Sequence, residues 1–330
     1  MRILIYIILI AAILYGLLWL WSVPRFPVQY GISFNHHHAS SLGLDWKETY
    51  RALLSDLQPP YVRVAAMWKD VEPQEGVYDF SLVDFLLDEA KKSGTKVTLV
   101  VGQKAPRWPE CHVPDWYKQK TSSEEQQRAV LTYIETVVNR YKDHEALEWW
   151  QVENEPFIRF EFGECDSFHK ELVDQEVALV RSLDQKHPVM ITDSGELGFW
   201  YRASRSGDVF GTTLYRVVQI PSGKIISYDW VPAGFYKLKA LVLGIKREQF
   251  VVAELQAEPW FTTGDPTTVS LEEQEKTMNP ERLQKHLEYV EHIGTGRAYL
   301  WGVEWWYFMK EKRGDERYWK LIQEVIQKNT

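Results

Sequence analysis

The stretch LEWWQVENEP, residues 147–156, has the pattern of a short strand followed at once by polar side chains. Its two tryptophans and its valine belong to the aromatic and β-branched types that are enriched in strands. The final proline ends the strand because it has no N–H to donate to a neighbouring strand. The strand therefore delivers Asn154 and Glu155 at its carboxyl end, where an acid beside an amide suits general acid–base chemistry.

Runs of strand character alternate with helical patterns along the rest of the chain. Besides the strand above, the predicted strands are 29–35, 61–68, 96–102, 188–192, 208–215, 249–254 and 298–302. The predicted helices are 45–57, 81–92, 123–141, 167–183, 197–206, 232–243, 281–292 and 316–327. The helix at 197–206 is the weakest of these and is expected to be short or irregular.

This alternation is typical of a parallel sheet, and eight strand–helix units in roughly 300 residues fit a (β/α)8 TIM barrel of class α/β. A doubly wound open sheet is the alternative. It would require a glycine-rich phosphate-binding turn after an early strand, and the sequence contains none there. We therefore predict a single barrel domain over residues 26–330.

Residues 3–23 form an uninterrupted uncharged run, about the length of a membrane-spanning helix. A cleaved signal peptide is the alternative, but it would have a shorter apolar core and a small-residue cleavage site such as Ala-x-Ala. Trp19 and Trp21 suit the membrane–water interface. We predict that residues 1–25 are an uncleaved signal-anchor and linker, with a cytoplasmic amino terminus and an extracytoplasmic domain.

The net charge of −8 and the pI near 5.7 argue against nucleic acid or anionic lipid as a partner of the soluble part. Cys111 and Cys165 are the only cysteines and show no metal-ligand spacing. They fall in loops that follow adjacent predicted strands. In an exported domain we expect them to form a disulfide between these loops.

Polar and aromatic residues at the carboxyl ends of the strands are the candidate site residues, because barrel active sites lie at that face. Besides Asn154 and Glu155 they are His36, His38, Arg63, Trp108, Tyr215, Glu254, Glu258 and Trp301.

In this order, the strand-end residues resemble those of the clan A glycoside hydrolases, which are retaining (β/α)8 enzymes. The resemblance covers about residue 29 to the carboxyl terminus. Its motifs are Tyr-Val-Arg-Val at 61–64, Asn154-Glu155-Pro156, Tyr215, Glu254 and Trp301. Segment 68–80, WKDVEPQEGVYDF, is also similar to the loop after strand two in beta-galactosidase-like and beta-xylosidase-like branches.

The resemblance implies that Glu155 is the acid/base and Glu254 the nucleophile. A retaining glycosidase needs one protonated and one ionised carboxyl about 5–5.5 Å apart. Strands four and seven face each other across a barrel mouth, so the two residues can converge. Arg63 is expected to keep the nucleophile ionised by its charge, and Tyr215 to hydrogen-bond the same carboxylate. Asn154 is expected to bind the sugar 2-hydroxyl.

Aromatic and histidine side chains are expected to line the sugar site. Trp301 offers a flat platform for the sugar ring, and Trp108 suits stacking on a glycan face. His36 and His38 are expected to contact substrate hydroxyls. The triple histidine 36–38 does not predict a metal site, because alternate strand residues face opposite ways and no carboxylate or Cys stands at a matching spacing.

Two further acids have competing interpretations. Glu258 is an alternative nucleophile, but Glu254 directly follows the hydrophobic run that should end strand seven, so we assign Glu258 to a substrate subsite. Glu153 is expected to lie one layer below Glu155, as a buried supporting carboxylate or a partner of Arg63.

The sequence thus predicts a membrane-anchored, retaining glycoside hydrolase that acts on an oligo- or polysaccharide without a cofactor; its β-specificity is implied by the resemblance. Its expected partners are the carbohydrate and, through the N-terminal helix, a membrane; no protein partner is indicated. A glycan-binding pseudoenzyme or envelope sensor, and a transglycosylase using the same residues, are the alternatives. Sugar configuration, linkage, and endo or exo action stay open.

Overall fold

Strands and helices alternate through the computed structural model, which describes residues 2–158, 163–166 and 168–329. The strands are β1 (Gln29–Ser33), β2 (Tyr61–Ala65), β3 (Lys96–Val101), β4 (Leu147–Val152), β5 (Val189–Asp193), β6 (Val209–Leu214), β7 (Val217–Gln219), β8 (Ile225–Ser227), β9 (Phe250–Gln256) and β10 (Arg297–Trp301). The α-helices before β4 are α1 (Arg2–Trp21), α2 (His36–Ser41), α3 (Trp46–Ala52), α4 (Trp68–Val71), α5 (Ser81–Ser93), α6 (Asp115–Lys118) and α7 (Ser123–Tyr141). Those after it are α8 (Val173–Leu183), α9 (Ala203–Ser206), α10 (Ala233–Leu243), α11 (Leu271–Glu275), α12 (Pro280–Glu291), α13 (Val303–Arg313) and α14 (Arg317–Asn329).

Eight of the strands close into a parallel barrel in the order β1-β10-β9-β6-β5-β4-β3-β2. The strands β7 and β8 pair with each other as a separate antiparallel hairpin after β6. The predicted α/β class and (β/α)8 barrel are therefore confirmed. Because all barrel strands run the same way, their carboxyl ends meet at one mouth.

Several predicted strands end earlier or later than expected. The strand predicted at 61–68 stops at Ala65, before α4 begins at Trp68. The first strand stops at Ser33, and residues 36–38 begin α2 instead of continuing the strand. The reason is local: the Asn35 side chain accepts a hydrogen bond from the backbone N–H of His38 and caps the helix. Strand seven, predicted to end at Glu254, continues as β9 to Gln256.

Several helices differ in extent from the prediction. The helix at 123–141 is found as predicted, whereas the weak helix at 197–206 is reduced to the four residues of α9. A π-helical turn at Leu53–Leu57 completes the helix predicted at 45–57. The predicted start of the fourth helix, Ser167, lies outside the described residues.

The interior of the barrel is filled by side chains rather than open. The hydroxyls of Thr98 and Tyr299 hydrogen-bond across it at 2.8 Å. Gly31 makes room for the tyrosine ring, because a Cβ at this position would lie 2.9 Å from it. A packed interior confines ligand access to the mouth.

Helix α1 is long and apolar enough to cross a membrane, and a signal sequence passes the same test. Its 18-residue window has a mean hydropathy of 2.8 and is 0% buried in the structure. The carboxyl-terminal part of α1 and the residue after it contact the barrel: the Tyr15 hydroxyl donates to Trp230 O at 2.6 Å, and Gly234 N donates to the Ser22 hydroxyl at 2.7 Å.

Candidate active site

The carboxylate of Glu254 has two partners inside the barrel mouth. Arg63 Nη1, on β2, donates to Oε1 at 2.8 Å, and the Tyr215 hydroxyl, just after β6, donates to Oε2 at 2.7 Å. The Arg63 and Glu254 residues are 1% and 4% exposed. Three residues predicted from separate strand ends therefore meet at one carboxylate.

Arg63 organises this part of the mouth through all of its guanidinium nitrogens. Besides the Glu254 contact, Nε donates to Gln151 Oε1 at 2.7 Å and Nη2 donates to Asn154 Oδ1 at 2.8 Å. The planar fork thus fixes side chains from β4, from the loop after it and from β9. Arg63 is a structural hub as well as a charge partner.

Glu155 lies directly after β4 in a left-handed backbone conformation with φ of 42°. Such a φ is uncommon for a residue with a side chain and is held by its surroundings. The Glu155 N–H donates to Thr192 Oγ1 at 2.9 Å, and the Thr213 hydroxyl donates to its Oε1 at 3.2 Å. These contacts aim the carboxyl at the barrel mouth.

Glu155 and Glu254 face the same site in different environments. Thr213, which contacts Glu155, is the residue that pairs with Glu254 in the β6–β9 register. Burial, followed by the negative charges of Glu254 and Glu110, raises the pKa of Glu155 well above its usual range. Burial thus favours the protonated form of Glu155, whereas Glu254 lies against an arginine. Two carboxyls in such different environments are the kind of arrangement that acid–base catalysis uses.

Sequence reasoning missed a third carboxyl, Glu110, in the loop after β3. It is buried, and its Oε2 accepts a hydrogen bond from Asn154 Nδ2 at 3.0 Å. Burial raises the pKa of Glu110 to about 7; the Lys104 charge opposes this rise and the Glu254 charge adds to it. The sequence held one signal for it, the adjacent Cys111, whose predicted disulfide draws this loop toward the loop after β4.

Comparisons with known proteins point to one group of enzymes. Residues 44–175 match glycoside hydrolase family 42, described as beta-galactosidase. Over 142 residues the chain is 27% identical to the beta-galactosidase LacZ of Heyndrickxia coagulans, a match that covers 38% of this chain and 21% of that protein. The chain thus spans about a fifth of the length of this curated relative.

Solved structures carry the same barrel. The beta-galactosidase of Rahnella sp. R3 superposes with a TM-score of 0.64 at 12% identity, over 93% of this chain and 56% of that one. The intracellular xylanase of Thermoanaerobacterium saccharolyticum does so with a TM-score of 0.54 at 18% identity, over 86% of this chain and 88% of that one. At such identities the likeness shows the fold.

The resemblance to the clan A glycoside hydrolases is confirmed.

A second charged cluster lies beside the carboxyl pair in the barrel mouth. Arg107 donates from Nη1 and Nη2 to the two oxygens of Glu258 at 2.6 and 3.2 Å, and its Nη2 lies 3.5 Å from Glu304 Oε2. Burial alone would raise the pKa of Glu258, but Arg107 and His38 lower it to about 2. Burial raises the pKa of Glu304. Glu258 thus already forms an ion pair with Arg107, unlike a carboxyl that is free to bind substrate.

The aromatic platform predicted at Trp301 is covered on one face by this cluster. The Arg107 guanidinium lies 4.3 Å from the Trp301 ring centroid, a cation–π contact, and the tryptophan is buried. Trp108, the next residue in the loop, is 60% exposed. Trp108 is therefore the better placed of the two predicted tryptophans to meet a ligand entering from solvent.

The predicted histidines point to different places, because they lie on α2 and not on a strand. His36 and His37 both contact Asp70 Oδ2, at 3.0 and 2.9 Å, whereas His38 Nε2 lies 3.6 Å from Glu258 Oε2. The assumption that residues 36–38 have the alternating directions of a strand was wrong. Of the two predicted histidines, His38 borders the Glu258 cluster and His36 does not.

Among the residues that the structure describes, two groups of side chains have donor atoms close enough to hold a metal ion. One is His36, His37 and Asp70, and the other is His38, Glu258 and Glu304; within each group the donor atoms lie within 4.8 Å of one another. In the second group Arg107 already contacts both carboxylates, which disfavours a cation there.

Glu153 lies below the site as a supporting carboxylate. Its two oxygens accept hydrogen bonds from the backbone N–H groups of Gln103 and Lys104, at 2.8 and 2.5 Å, rather than from Arg63. Gly102 is required beside it, since a Cβ there would lie 2.4 Å from Glu153 Oε1. Glu153 thus fixes the start of the loop that carries Glu110.

The predicted disulfide between Cys111 and Cys165 is present, with the Cα atoms 5.2 Å apart. It joins the loop after β3 to the loop after β4, both at the barrel mouth. The loop that follows Asn154 and Glu155 is therefore tied covalently to the loop of Arg107 and Glu110.

Proposed function

We propose that this protein is a retaining β-glycosidase in which Glu155 is the acid/base and Glu254 the nucleophile. The observation that carries the proposal is the contrast between the two carboxyls. Burial favours the protonated form of Glu155, whereas Glu254 lies between Arg63 and the Tyr215 hydroxyl. The match to a beta-galactosidase family supports glycosidase chemistry independently.

The reaction runs in two displacements. Glu254 attacks the anomeric carbon while Glu155 transfers its proton to the glycosidic oxygen, so the leaving sugar departs as an alcohol and a glycosyl ester forms on Glu254. Glu155, now a carboxylate, accepts a proton from water, and the hydroxide that forms attacks the same carbon. The ester bond breaks, Glu254 regains its negative charge, and the sugar keeps its anomeric configuration.

The neighbouring side chains orient the sugar. Arg63 holds Asn154 through its Oδ1, which leaves one hydrogen on Nδ2 for the sugar 2-hydroxyl after Glu110 has taken the other. Trp108 extends the site toward solvent as a surface on which a further sugar can stack. We infer a substrate that is an oligo- or polysaccharide, with a β-galactoside as the first to test because of the family match.

Helix α1 supports an anchored form of this enzyme. Its length and hydropathy suit an uncleaved signal-anchor that holds the barrel at the extracytoplasmic face of a membrane. The disulfide is consistent with that compartment, since disulfides persist where conditions are oxidising.

The nucleophile is tested by trapping. The full-length chain in detergent micelles is incubated with 2-deoxy-2-fluoro-β-glycosyl fluorides of galacto, gluco, manno and xylo configuration, and its peptides are analysed by mass spectrometry. We expect one sugar adduct on Glu254, absent in Glu254→Gln and retained in the exposed control Glu124→Gln. An adduct on Glu258 overturns the nucleophile assignment but keeps the mechanism. Glycan binding without an adduct or turnover overturns the enzyme in favour of a binding protein.

The acid/base is tested by chemical rescue. Glu155→Ala should slow hydrolysis of a dinitrophenyl β-glycoside at the second step, because water then lacks its general base. Sodium azide needs no general base, so it should restore turnover and give the β-glycosyl azide. If azide has no effect on Glu155→Ala, or gives the α product, Glu155 does not have this role.

A further inference from the structure

The loop 104–111 folds back into the barrel mouth as a tight hairpin. Ala105 N donates to Glu110 O, and Glu110 N donates to Arg107 O, both at 2.9 Å. Glu110 adopts a left-handed backbone conformation with φ of 71°. The hairpin therefore presents two side chains to the site: Arg107 toward the Glu258 cluster and Glu110 toward Asn154.

The loop after β4 clamps this hairpin from outside. Cys165 bonds covalently to Cys111, and Glu164 N donates to Pro109 O at 2.9 Å. Gly163 packs so closely that a Cβ there would lie 2.6 Å from the Glu110 Cβ. Covalent and backbone contacts thus fix the position of Glu110.

A continuous set of hydrogen bonds joins Glu110 to the proposed nucleophile. Glu110 Oε2 accepts from Asn154 Nδ2 at 3.0 Å, Asn154 Oδ1 accepts from Arg63 Nη2 at 2.8 Å, and Arg63 Nη1 donates to Glu254 at 2.8 Å. All four groups are buried. Arg63 can only donate and Glu110 accepts, so the two together fix the Asn154 oxygen on one side and its NH2 on the other; without Glu110 this NH2 hydrogen loses its buried acceptor.

We propose that Glu110 is a positioning residue of this site, which holds the Asn154 amide in the orientation that binds the sugar. This inference rests on the proposed glycosidase function. It goes beyond that function because Glu110 lies in the loop after β3, which carries neither of the two proposed catalytic carboxyls.

The electrostatics agree with this geometry. The charge of Glu110 is one of the groups that raise the pKa of Glu155, after burial and the charge of Glu254. A neutral residue at 110 should therefore lower the pKa of Glu155. In a glycosidase the protonated acid/base sets the alkaline limb of the kcat/KM profile, so this limb should move to lower pH.

Two variants separate the charge from the hydrogen bond. Glu110→Gln keeps an oxygen acceptor for Asn154 but removes the charge, and Glu110→Ala removes both. With 4-nitrophenyl β-D-galactopyranoside as the probe, we expect Glu110→Gln mainly to shift the alkaline limb to lower pH. We expect Glu110→Ala also to lower kcat by about 100-fold, since misplaced catalytic contacts cost of that order. The exposed Glu124→Gln should keep the wild-type profile.

The outcomes distinguish this inference from the proposed function. If the wild-type chain is active and both Glu110 variants keep its kcat and pH profile, the inference is overturned and the glycosidase stands. If the wild-type chain turns over neither this probe nor its gluco, manno and xylo counterparts, the proposed function fails. A crystal structure of Glu110→Ala then decides the positioning role alone: an Asn154 side chain in its wild-type orientation overturns it, and a rotated amide supports it.

Discussion

The hydroxyl of Tyr215 lies 2.7 Å from Oε2 of Glu254, on the opposite carboxylate oxygen from Arg63. Burial, followed by the charge of Glu254, raises the pKa of Tyr215 well above its usual range, so the hydroxyl keeps its proton and acts as a donor. The carboxylate is thus held from two sides and cannot rotate without losing a partner.

Removing this donor should impair turnover without unfolding the barrel. A hydrogen bond to a charged group contributes about 1.5–3 kcal/mol, so Tyr215→Phe should lower kcat/KM by roughly 10- to 100-fold. Steady-state kinetics with a nitrophenyl β-glycoside measures this loss, and Tyr201→Phe, at an exposed tyrosine, is the matched control. Equal activity of the two variants would show that Tyr215 does not support the nucleophile.

The arrangement of Glu155, Glu254, Arg63 and Tyr215 follows from features that sequence carries well. Each lies on or just after an apolar strand, and parallel strands bring their carboxyl ends to one face. Once the alternation of strands and helices is recognised, these side chains must share the mouth. Their separation along the chain is therefore no obstacle to predicting that they meet.

The loop contacts did not follow from the sequence, because they depend on tertiary positions that no periodicity encodes. His36 was treated as a continuation of the first strand because it directly follows the run 29–35, yet the Asn35 side chain starts a helix there. Arg107 covers Trp301, and Glu110 reaches Asn154, only because the hairpin that carries them folds back over the mouth. A loop conformation of this kind is fixed by its contacts with neighbouring loops. Of these contacts, the disulfide alone was predicted.

A buried pair of carboxyls predicts a pH-dependent stability. Burial raises the pKa of Glu176 well above its usual range and that of Glu153 to about 7, and a protonated Glu176 donates a hydrogen bond to Glu153. A carboxyl with a raised pKa binds more protons in the folded chain than in the unfolded one. The contribution of this carboxyl pair to the free energy of unfolding is therefore complete below about pH 4.5 and is lost as the pH rises through about 7.

Thermal unfolding of the full-length chain in micelles between pH 5 and pH 8 measures this dependence. We expect Tm to fall as the pH rises, by about 2–4 °C for each kcal/mol lost. Glu176→Gln keeps a donor for Glu153 but cannot lose a proton, so the slope should flatten. Glu124→Gln, at an exposed acid, should keep the wild-type slope; an unchanged slope in Glu176→Gln refutes the assignment to this pair.

The disulfide should matter more for the site than for the barrel. Strand pairing does not involve Cys111 or Cys165, whereas the hairpin of Arg107 and Glu110 is held by their bond. In the double variant Cys111→Ser/Cys165→Ser we expect kcat/KM to fall at least as far as in Glu110→Ala. The free energy of unfolding should fall by about 2–4 kcal/mol, with the helical circular dichroism signal retained.

Dithiothreitol provides the control, because it converts the same disulfide to two thiols. It should lower the activity of the wild-type chain to that of the double variant and leave the double variant unaffected. Full activity of the double variant would mean that the backbone contacts alone hold the hairpin.

Breaking the ion pairs of Arg107 should strongly destabilise the folded chain. Its removal leaves Glu258 and Glu304 buried without their cation, and an uncompensated buried charge costs about 3–5 kcal/mol. Arg107→Ala should therefore lower the free energy of unfolding by about that amount in urea titrations of the full-length chain. Arg51→Ala, which breaks the exposed pair with Glu89, should cost about 0–1 kcal/mol. Adding Glu258→Gln to Arg107→Ala should recover part of the loss, because the stranded charge is then gone; a further loss of stability in the double variant would contradict this account.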